Sequence, residues 1–292
     1  MSAEPHPDAA AAAGASHRRR IWLCADDYGI APGVDTAIRD LVVRGRINAT
    51  SVMVAAPAFD RSEAISLGIL NAGVKRVAIG LHVTLTAPFR PISSGFRPLQ
   101  QGAFLPLDAT LRVAFLRRFR RERLAIEIAS QLQAFVAAFG RAPDFVDGHQ
   151  HVHLFPQVRD ELLRVVKEAA PNAWVRQCGR VTRLHDRLSD RKGLLLDLLS
   201  RQFRRRADEL GLRTNPAFAG TYDFTSEAKF ADLFPKFLDR LPDDAVVMCH
   251  PGHVDDELRR LDPLTDARER EYAYLAADDF PRVLAERGVA LG

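Results

Sequence analysis

The stretch Ile21-Trp22-Leu23-Cys24-Ala25-Asp26-Asp27-Tyr28-Gly29 contains five apolar residues that lead into two carboxylates and a glycine. A short apolar run followed by turn signals is typical of a strand that is buried on both faces. Pro32 and Gly33 continue the turn, and apolar residues then recur at helical spacing as far as Gly45. The stretch therefore predicts a strand, a loop and a helix, which is the repeating unit of a parallel α/β fold.

The same alternation continues along most of the chain. Further strands are predicted at residues 50–55, 76–85, 144–147, 173–176 and 245–249. Helices are predicted at residues 62–70, 156–169, 193–210 and 226–238. Because strands that alternate with helices pair in parallel, the pattern predicts one parallel sheet covered by helices.

Two segments depart from this alternation. Residues 1–20 are rich in Ala, Pro, His and Arg and lack the apolar core of a secretory signal, so we expect a disordered tail. Around residues 87–139 we expect an excursion, with a Pro-, Gly- and Ser-rich loop at 87–109 and one or two helices at 111–139. The loop is either a substrate-covering lid or a variable surface excursion. Residues 21–292 are otherwise predicted to form a single domain.

Composition limits the class of protein. Of the 292 residues 47% are hydrophobic and 27% charged, and no apolar run approaches the roughly 20 residues of a membrane-spanning helix. Cys24, Cys178 and Cys249 have no metal-type spacing and do not suggest a disulfide framework, which favours a reducing cytoplasm. The formal net charge is +4, but the basic runs at 117–123 and 201–206 carry no nucleic-acid-binding signature. We therefore expect no nucleic-acid partner.

Asp26 and Asp27 stand at the C-terminal end of the first strand, where parallel α/β proteins place their active residues. Neighbouring side chains of an extended chain point to opposite faces. The two carboxylates share a site only if the backbone turns, and Gly29 lies close enough to allow this. One Asp can then bind a metal while the other accepts a proton. The alternative is that one of them only caps the helix that begins after Pro32.

Histidines follow two later strands. His82 lies near the end of an apolar strand within residues 79–85, and a neutral imidazole there can be either a core residue or a metal ligand. The run Asp147-Gly148-His149-Gln150-His151-Val152-His153 presents its ionisable side chains on one face if it is extended. If a helix begins after His149, then His149 and His153 face the same way. Both conformations favour a metal site, and a purely hydrogen-bonded cluster is the alternative.

The last predicted strand runs into Met248-Cys249-His250-Pro251-Gly252-His253. Because this strand ends at the same edge of the sheet, His250 is expected to face the mouth formed by the other strand ends. The alternative is that it anchors a loop beside Pro251. Cys249 is predicted to be a small core residue, since no nucleophile motif surrounds it.

In chain order, these motifs resemble the YdjC-like carbohydrate deacetylase family, which includes chitooligosaccharide deacetylases and a deacetylase of hopanoid glycolipid synthesis. The matching motifs are Ala25-Asp26-Asp27-Tyr28-Gly29, Gly80-Leu81-His82, Asp147 to His153 followed by Leu154-Phe155-Pro156, and Cys249-His250-Pro251-Gly252. The resemblance spans residues 21–271 and implies a distorted β/α barrel of the glycoside hydrolase/deacetylase type. Family members usually have Phe in place of Tyr28.

The resemblance also implies an activity, which is removal of the acetyl group from an N-acetylated amino sugar. Carried over by motif, Asp27, His82 and His149 would bind one divalent metal ion and Asp26 would be the general base. Zinc or magnesium is favoured for this ion, and manganese, cobalt or nickel also suit one carboxylate and two imidazoles.

Breaking an amide C–N bond requires a proton for the amine leaving group. His250 is the first candidate for this general acid, and His151 or His153 is the second. Asp147 and Tyr28, together with these two histidines, are candidates for contacting the substrate or supporting the ligands.

Other functions and partners stay open. A metal-dependent hydrolase of a phosphoester or a cyclic amide is one alternative, although no second carboxylate-rich set suggests two-metal chemistry. A non-catalytic, metal-dependent sugar-binding protein is another, against which the pairing of Asp26 with Asp27 argues. The stretch Gly193 to Arg206 fits a core-facing helix with a basic outer face, or a helix that rests on an anionic membrane if the substrate is a glycolipid. Homodimerisation is also left open.

Overall fold

The structure is a computed structural model that describes residues 18–71, 77–181, 191–224 and 229–292. Its strands are β1 (Arg19–Tyr28), β2 (Ala49–Val52), β3 (Ala78–Val83), β4 (Phe145–Gly148), β5 (Trp174–Val175), β6 (Phe218–Ala219), β7 (Ala245–Cys249) and β8 (Val289–Leu291). Its α-helices are α1 (Pro32–Val43), α2 (Arg61–Leu70), α3 (Leu107–Phe115), α4 (Arg121–Phe139), α5 (Pro156–Ala169), α6 (Arg191–Glu209), α7 (Phe230–Phe237), α8 (Asp256–Leu261), α9 (Asp266–Ala276) and α10 (Phe280–Glu286).

The strands form one parallel sheet in the order β5-β4-β3-β2-β1-β7-β6, and β8 pairs with the first residues of β1. Single bridges join Val175 to Thr214 and Arg180 to Phe218, so the β5 and β6 ends of this order approach each other. The sheet therefore curls into a distorted barrel. This confirms the β/α-barrel fold that the resemblance implies.

β1 lies in the middle of the sheet. Its segment Ile21 to Ala25 pairs residue by residue with Ala245 to Cys249 of β7, and its later residues pair with β2. From Leu23 onward the strand is buried on both faces, which explains why its sequence is a continuous apolar run rather than an alternating one.

The predicted N-terminal tail, residues 1–20, extends two residues too far, because β1 already begins at Arg19. Arg19 and Arg20 belong to β1, where they pair with Val289 and Ala290 of β8. Their backbone groups join the sheet although their side chains are charged, so hydropathy alone does not identify these two residues as part of a strand. Residues 1–17 lie outside the described residues, and the predicted disorder of that part stays a prediction.

Most of the other predicted elements are confirmed, with shifted ends. The second strand ends at Val52 rather than at residue 55, and the helix predicted from residue 226 begins within the described part at Phe230. Residues 225–228 lie outside that part. The short strands β6 and β8 were not predicted, since two or three residues are too few to show a period.

The loop after β3 is anchored to the body of the protein. Glu127 of α4 accepts hydrogen bonds from the backbone N–H groups of Ile92 and Ser93 at 3.1 and 2.8 Å. Phe96 and Phe104 are buried, with ring centroids 5.2 Å apart. These contacts favour the packed surface excursion over the lid. The stretch 111–139 contains the end of α3 and the whole of α4, so two helices are present there.

α6 packs one side against the core and exposes a basic outer side, which is the first of the two arrangements predicted for residues 193–206. Leu199 and Phe203 are buried, whereas Leu198 is 54% exposed beside exposed arginines such as Arg201 and Arg204. No helix within the described ranges is long and apolar enough to cross a membrane.

Candidate metal centre

Polar side chains gather where neighbouring parallel strands end. Asp26 and Asp27 lie near the end of β1, His82 near the end of β3 and Asp147 near the end of β4. His149 follows Gly148, the last residue of β4. Since the strands are parallel, their carboxyl ends lie at one edge of the barrel, and the sequence-predicted side chains meet there.

A turn within β1 lets both aspartates face this edge. Asp27 has φ 71°, in the left-handed region that a non-glycine residue rarely adopts, and Gly29 has φ 97°. The pairing of β1 with β2 shifts register between Ala25 and Tyr28, as in a β-bulge. The predicted turn is present, but it begins at Asp27 itself rather than at Gly29.

Asp27, His82 and His149 form a compact, buried cluster. Oδ1 of Asp27 lies 2.9 Å from His149 Nδ1 and 3.3 Å from His82 Nε2. One potential ligand atom from each of the three residues lies within 4.8 Å of the others. One carboxylate and two imidazoles at this separation suit a divalent transition metal or zinc. These are the three ligands that the resemblance implies.

Asp147 orients His82. Its Oδ1 lies 2.6 Å from His82 Nδ1, which leaves His82 Nε2 as the nitrogen that faces Asp27. Ser51 Oγ also lies 2.9 Å from His82 Nδ1. Burial opposes the charged form of His82, but the carboxylates of Asp147 and Asp27 outweigh it and raise the pKa of His82 to about 10. A carboxylate behind an imidazole is the usual support for a metal-binding histidine.

Asp26 is paired with a buried arginine that the sequence analysis missed. Arg176 Nη1 lies 2.6 Å from Asp26 Oδ2, and Arg176 Nη2 lies 2.8 Å from Asp26 Oδ1. Burial would raise the pKa of Asp26, but the charge and hydrogen bonds of Arg176 hold this pKa well below its usual range. A single Arg just past a short strand carries no motif, so only its position in the fold reveals the pairing.

The position of Arg176 also argues against a site that holds two cations. Asp26, His82 and Asp147 form a second possible ligand group that shares His82 with the first. Arg176 Nη2 lies 2.6 Å from Asp147 Oδ2 as well as close to Asp26, so its fixed charge occupies the space between these two carboxylates. The cluster therefore favours one metal ion.

The run from His149 to His153 adopts neither of the two predicted conformations. It forms a short 3-10 helix that is interrupted at Gln150 and His151, whose φ angles are 53° and 58°. This kink sends the imidazoles apart. His153 Nε2 lies 2.9 Å from the carbonyl oxygen of Arg176, and His151 Nδ1 lies 3.5 Å from Cys178 Sγ. Only His149 of the three reaches Asp27.

His250 lies beside Asp26. The register of β1 and β7 pairs Ala25 with Cys249, which brings the next residues of both strands to the same edge. Glu271 accepts a hydrogen bond from the backbone N–H of His250 at 2.5 Å and lies fully buried. The Nδ1 atom of His250 is buried without a hydrogen-bond partner among the described residues.

Two further residues of the sequence analysis, Tyr28 and Cys249, lie outside the cluster. The Tyr28 hydroxyl lies 2.7 Å from a carboxylate oxygen of Glu63 on α2 and 3.1 Å from Arg39 on α1, so this side chain does not join the cluster. The Tyr28 hydroxyl therefore links α1 and α2, and the predicted role of Tyr28 in contacting the substrate or supporting the ligands stays a prediction. Cys249 is buried in the core, as predicted.

A second arginine missed by the sequence analysis contacts the cluster. Arg268 of α9 is fully buried, and its Nη2 atom lies 2.6 Å from Asp27 Oδ2. The charges of His149 and Arg268 overcome the effect of burial and hold the pKa of Asp27 well below its usual range. Within a helical pattern, one arginine looks the same whether it faces solvent or a carboxylate.

A separate cavity of about 890 Å³ lies at the opposite end of the barrel, between residues that include Trp22 and Trp174. It contains none of the clustered side chains. The N-terminal end of barrel strands generally serves stability, so this cavity does not compete with the strand-end cluster as the candidate site.

Fold and site together define a β/α-barrel protein with a buried carboxylate–imidazole cluster at the C-terminal strand ends. The chain belongs to the YdjC-like protein family, whose sequence profile matches residues 20–286. This confirms the family resemblance.

Among curated relatives, the chain is similar to a chitooligosaccharide deacetylase from Citrobacter koseri, with 27% identity over 94% of this chain and 97% of the relative. It is also similar to one from Escherichia fergusonii, with 28% identity over 94% and 97%. A solved structure from Enterococcus faecalis, described as a candidate cellobiose-phosphate cleavage protein, has a TM-score of 0.68 at 21% identity and covers 94% of this chain and 97% of its own. That likeness concerns the fold alone.

Proposed function

We propose that this chain is a metal-dependent carbohydrate deacetylase that hydrolyses the acetyl amide of an N-acetylated amino sugar, in an oligosaccharide or a glycolipid headgroup. The observation that carries the proposal is the convergence of Asp27, His82 and His149 beside the ionised carboxylate of Asp26. The names of the two curated relatives support the sugar amide as the substrate class.

Asp27, His82 and His149 would hold one divalent ion, with zinc or magnesium favoured and manganese, cobalt or nickel also suited. When bound there, such an ion polarises an amide carbonyl and makes water more acidic. Asp147 supports this arrangement by fixing which nitrogen of His82 faces Asp27.

Asp26 is the proposed general base. Arg176 keeps its carboxylate ionised, which is the state that a base needs, and holds both of its oxygens in place. In the proposed reaction, Asp26 removes a proton from the water that attacks the acetyl carbonyl carbon.

His250 is the proposed general acid, which protonates the amine nitrogen as the C–N bond breaks. The contacts of the two other candidates argue against them. His153 is fully buried against the Arg176 carbonyl. Burial lowers the pKa of His151 to about 3, so its ring is neutral at physiological pH and a poor source of protons.

The test is acetate release from mono-, oligo- and lipid-linked N-acetyl sugars, with and without chelator and with metal added back. We expect release from at least one of these substrates, loss with chelator, and recovery on metal addition. Phosphate release from an ester without acetate release would overturn the proposal in favour of another hydrolase. Sugar binding by calorimetry without acetate release would instead support a sugar-binding protein.

Two variants separate the roles of the adjacent aspartate and the histidine ligand. Asp26→Asn is expected to keep metal binding and lose turnover, because it removes the base and no proposed ligand. His149→Ala is expected to lose metal binding, since it removes one of three ligands. Retained turnover in Asp26→Asn would contradict the role of Asp26. Metal content measured after desalting is the second readout.

We further propose that the predicted domain of residues 21–292, extended to Arg19 at the start of β1, acts as a single domain in the cytoplasm. Its three cysteines are unpaired and buried, which suits a reducing compartment.

Peripheral membrane contact through α6 stays a prediction for the case of a glycolipid substrate, and liposome co-sedimentation at low salt tests it. Homodimerisation also stays a prediction, and a measurement of the molecular mass of the protein in solution tests it.

A further inference from the structure

Arg268 is a fully buried cation with two acidic partners. Its Nη2 atom lies 2.6 Å from Asp27 Oδ2 and 2.6 Å from Asp262 Oδ2. Its Nε atom donates to the carbonyl oxygen of Leu264 at 3.0 Å. A buried guanidinium is costly unless it is paired, so these contacts define where its charge is satisfied.

Arg268 packs against Gly252, in the His250-Pro251-Gly252 motif. The backbone N–H of Gly252 donates to the Arg268 carbonyl at 3.2 Å. A Cβ atom at position 252 would lie 3.4 Å from Arg268 Cδ and 2.8 Å from Val34 Cγ2. The motif after β7 thus holds the backbone of Arg268 next to the strand ends, and the absence of a side chain at Gly252 allows its close approach to Val34.

The contacts of Arg268 divide the two oxygens of Asp27. Oδ1 is the oxygen that both imidazoles approach, at 2.9 Å for His149 Nδ1 and 3.3 Å for His82 Nε2. Oδ2 is bonded to the guanidinium of Arg268. Only one oxygen of this carboxylate therefore remains available to a cation among the imidazoles.

We infer that Arg268 is a positioning residue that restricts Asp27 to a single ligand oxygen and so selects compact ions over ions that take both oxygens of a carboxylate. The inference rests on the metal binding in the proposed function. Zinc is commonly satisfied by three single-atom protein ligands with a further position open. Calcium prefers six to eight oxygens and often takes a carboxylate through both of them. Asp262 balances the charge of Arg268 without changing which Asp27 oxygen is occupied.

The experiment titrates metal-free protein with Zn²⁺ and with Ca²⁺ alone, by calorimetry and without substrate. Arg268→Met keeps an unbranched stem in the buried space but removes the guanidinium donor, so Oδ2 of Asp27 becomes free. We expect the ratio of Zn²⁺ to Ca²⁺ affinity to fall by about tenfold or more, the scale of effects seen for residues behind metal ligands. An unchanged ratio in folded Arg268→Met protein would overturn the inference.

Asp262→Asn is the matched control. It removes the second partner of Arg268 and leaves the contact with Asp27, so we expect the wild-type ratio within about threefold, a range below the effects that residues behind metal ligands produce. The two variants change the local charge in opposite directions, so a fall equal to that of Arg268→Met would show that any disturbance around Arg268, and not the freed oxygen, lowers the ratio, and would also overturn the inference.

A crystal structure of zinc-loaded wild-type protein keeps the inference testable if Arg268→Met does not fold. We expect one Asp27 oxygen at about 2.0–2.2 Å from the ion, with the other still on Arg268. An ion held by both oxygens would refute the inference. If the wild-type protein binds neither these ions nor magnesium, manganese, cobalt or nickel, the metal part of the proposed function fails and this inference with it; if it binds zinc and the ratio is unchanged, only this inference fails.

Discussion

At the level of single residues, Arg176 determines how much negative charge the site presents. It is buried between Asp26 and Asp147, with nitrogen–oxygen distances of 2.6 to 2.8 Å. Without it, two carboxylates would face each other in a region that excludes water. Its guanidinium therefore stabilises the folded protein as well as the ionised state of Asp26.

Replacing this arginine should be costly for folding. We expect Arg176→Met to lower the free energy of unfolding by about 3–5 kcal/mol, because removing one partner leaves buried carboxylates without compensation. Urea unfolding of the metal-free protein measures this. Arg164 on α5 is a matched control, since it also pairs with acidic groups but its side chain is 45% exposed. Arg164→Met should cost less than about 1 kcal/mol.

Asp35 is a buried acid whose ionisation should oppose folding. It lies in the first turn of α1 and accepts a 2.5 Å hydrogen bond from the backbone N–H of Gly29. Burial, reinforced by the charge of Glu63, raises the pKa of Asp35 from its ordinary value of 3.8 to about 8. Between these two pKa values the folded protein keeps a proton on Asp35 that the unfolded chain releases. The contribution of Asp35 to the free energy of unfolding therefore falls as the pH rises.

The isosteric variant Asp35→Asn cannot ionise and retains an oxygen for Gly29. We therefore expect its free energy of unfolding, relative to wild type, to increase from about pH 5 to about pH 8. Urea unfolding of both proteins at several pH values tests this, and taking the difference between them cancels the other titrating groups. The same difference at both ends of the range would contradict the assignment.

At the level of elements, the Phe145 ring of β4 lies directly over Gly80 of β3, because Gly80 has no side chain. A Cβ atom at position 80 would lie 2.3 Å from the ring of Phe145 on β4. His82 and Asp147 are paired in the register of the same two strands. The glycine thus makes room for a core aromatic ring across the two paired strands that carry a proposed ligand and its supporting carboxylate.

Gly80→Ala should destabilise the protein by about 1–3 kcal/mol, the usual cost of overpacking a core. Gly68 on α2 is the matched control, since an added Cβ there meets nothing within 4 Å. Gly68→Ala should stabilise the protein by about 0.5–1 kcal/mol, because alanine is the better helix former. Thermal unfolding measures both, and destabilisation of equal size in the two variants would contradict this view of β3.

At the level of the whole molecule, the cluster joins parts of the chain that are far apart in sequence. Asp27 comes from β1, His82 from β3 and His149 from the turn after β4. A cation that binds all three stabilises only the folded chain, because the unfolded chain does not bring them together. Metal binding and global stability are therefore linked.

We expect the melting temperature to rise with metal concentration and to fall with chelator. A metal concentration about 100 times the dissociation constant would contribute about 2.7 kcal/mol. His149→Ala should lose the metal-dependent rise. His253 lies outside the cluster with 41% of its side chain exposed, so His253→Ala should retain the rise. Differential scanning fluorimetry measures all three proteins, and equal responses in both variants would contradict the ligand assignment.

Much of the fold was predictable from local patterns. The apolar runs that became β1, β3 and β7 are buried on both faces, and amphipathic stretches such as that of α5 bury one side, so burial leaves a direct trace in the order of residues. Arg19 and Arg20 show the limit of this approach. They join β1 through backbone hydrogen bonds, to which their polar side chains give no clue.

By itself, the sequence determined the parallel α/β class, the family resemblance, and the grouping of Asp26, Asp27, His82 and His149 at strand ends. It could do so because these depend on the type and spacing of residues along single elements. The family resemblance already named His149 within the 149–153 run, whereas the tertiary structure decided where His151 and His153 go, through the left-handed kink at Gln150 and His151 that turns their imidazoles away from Asp27. The places of Arg176 and Arg268 were decided in the same way, because a lone arginine acquires its partner only when distant elements pack and exclude water.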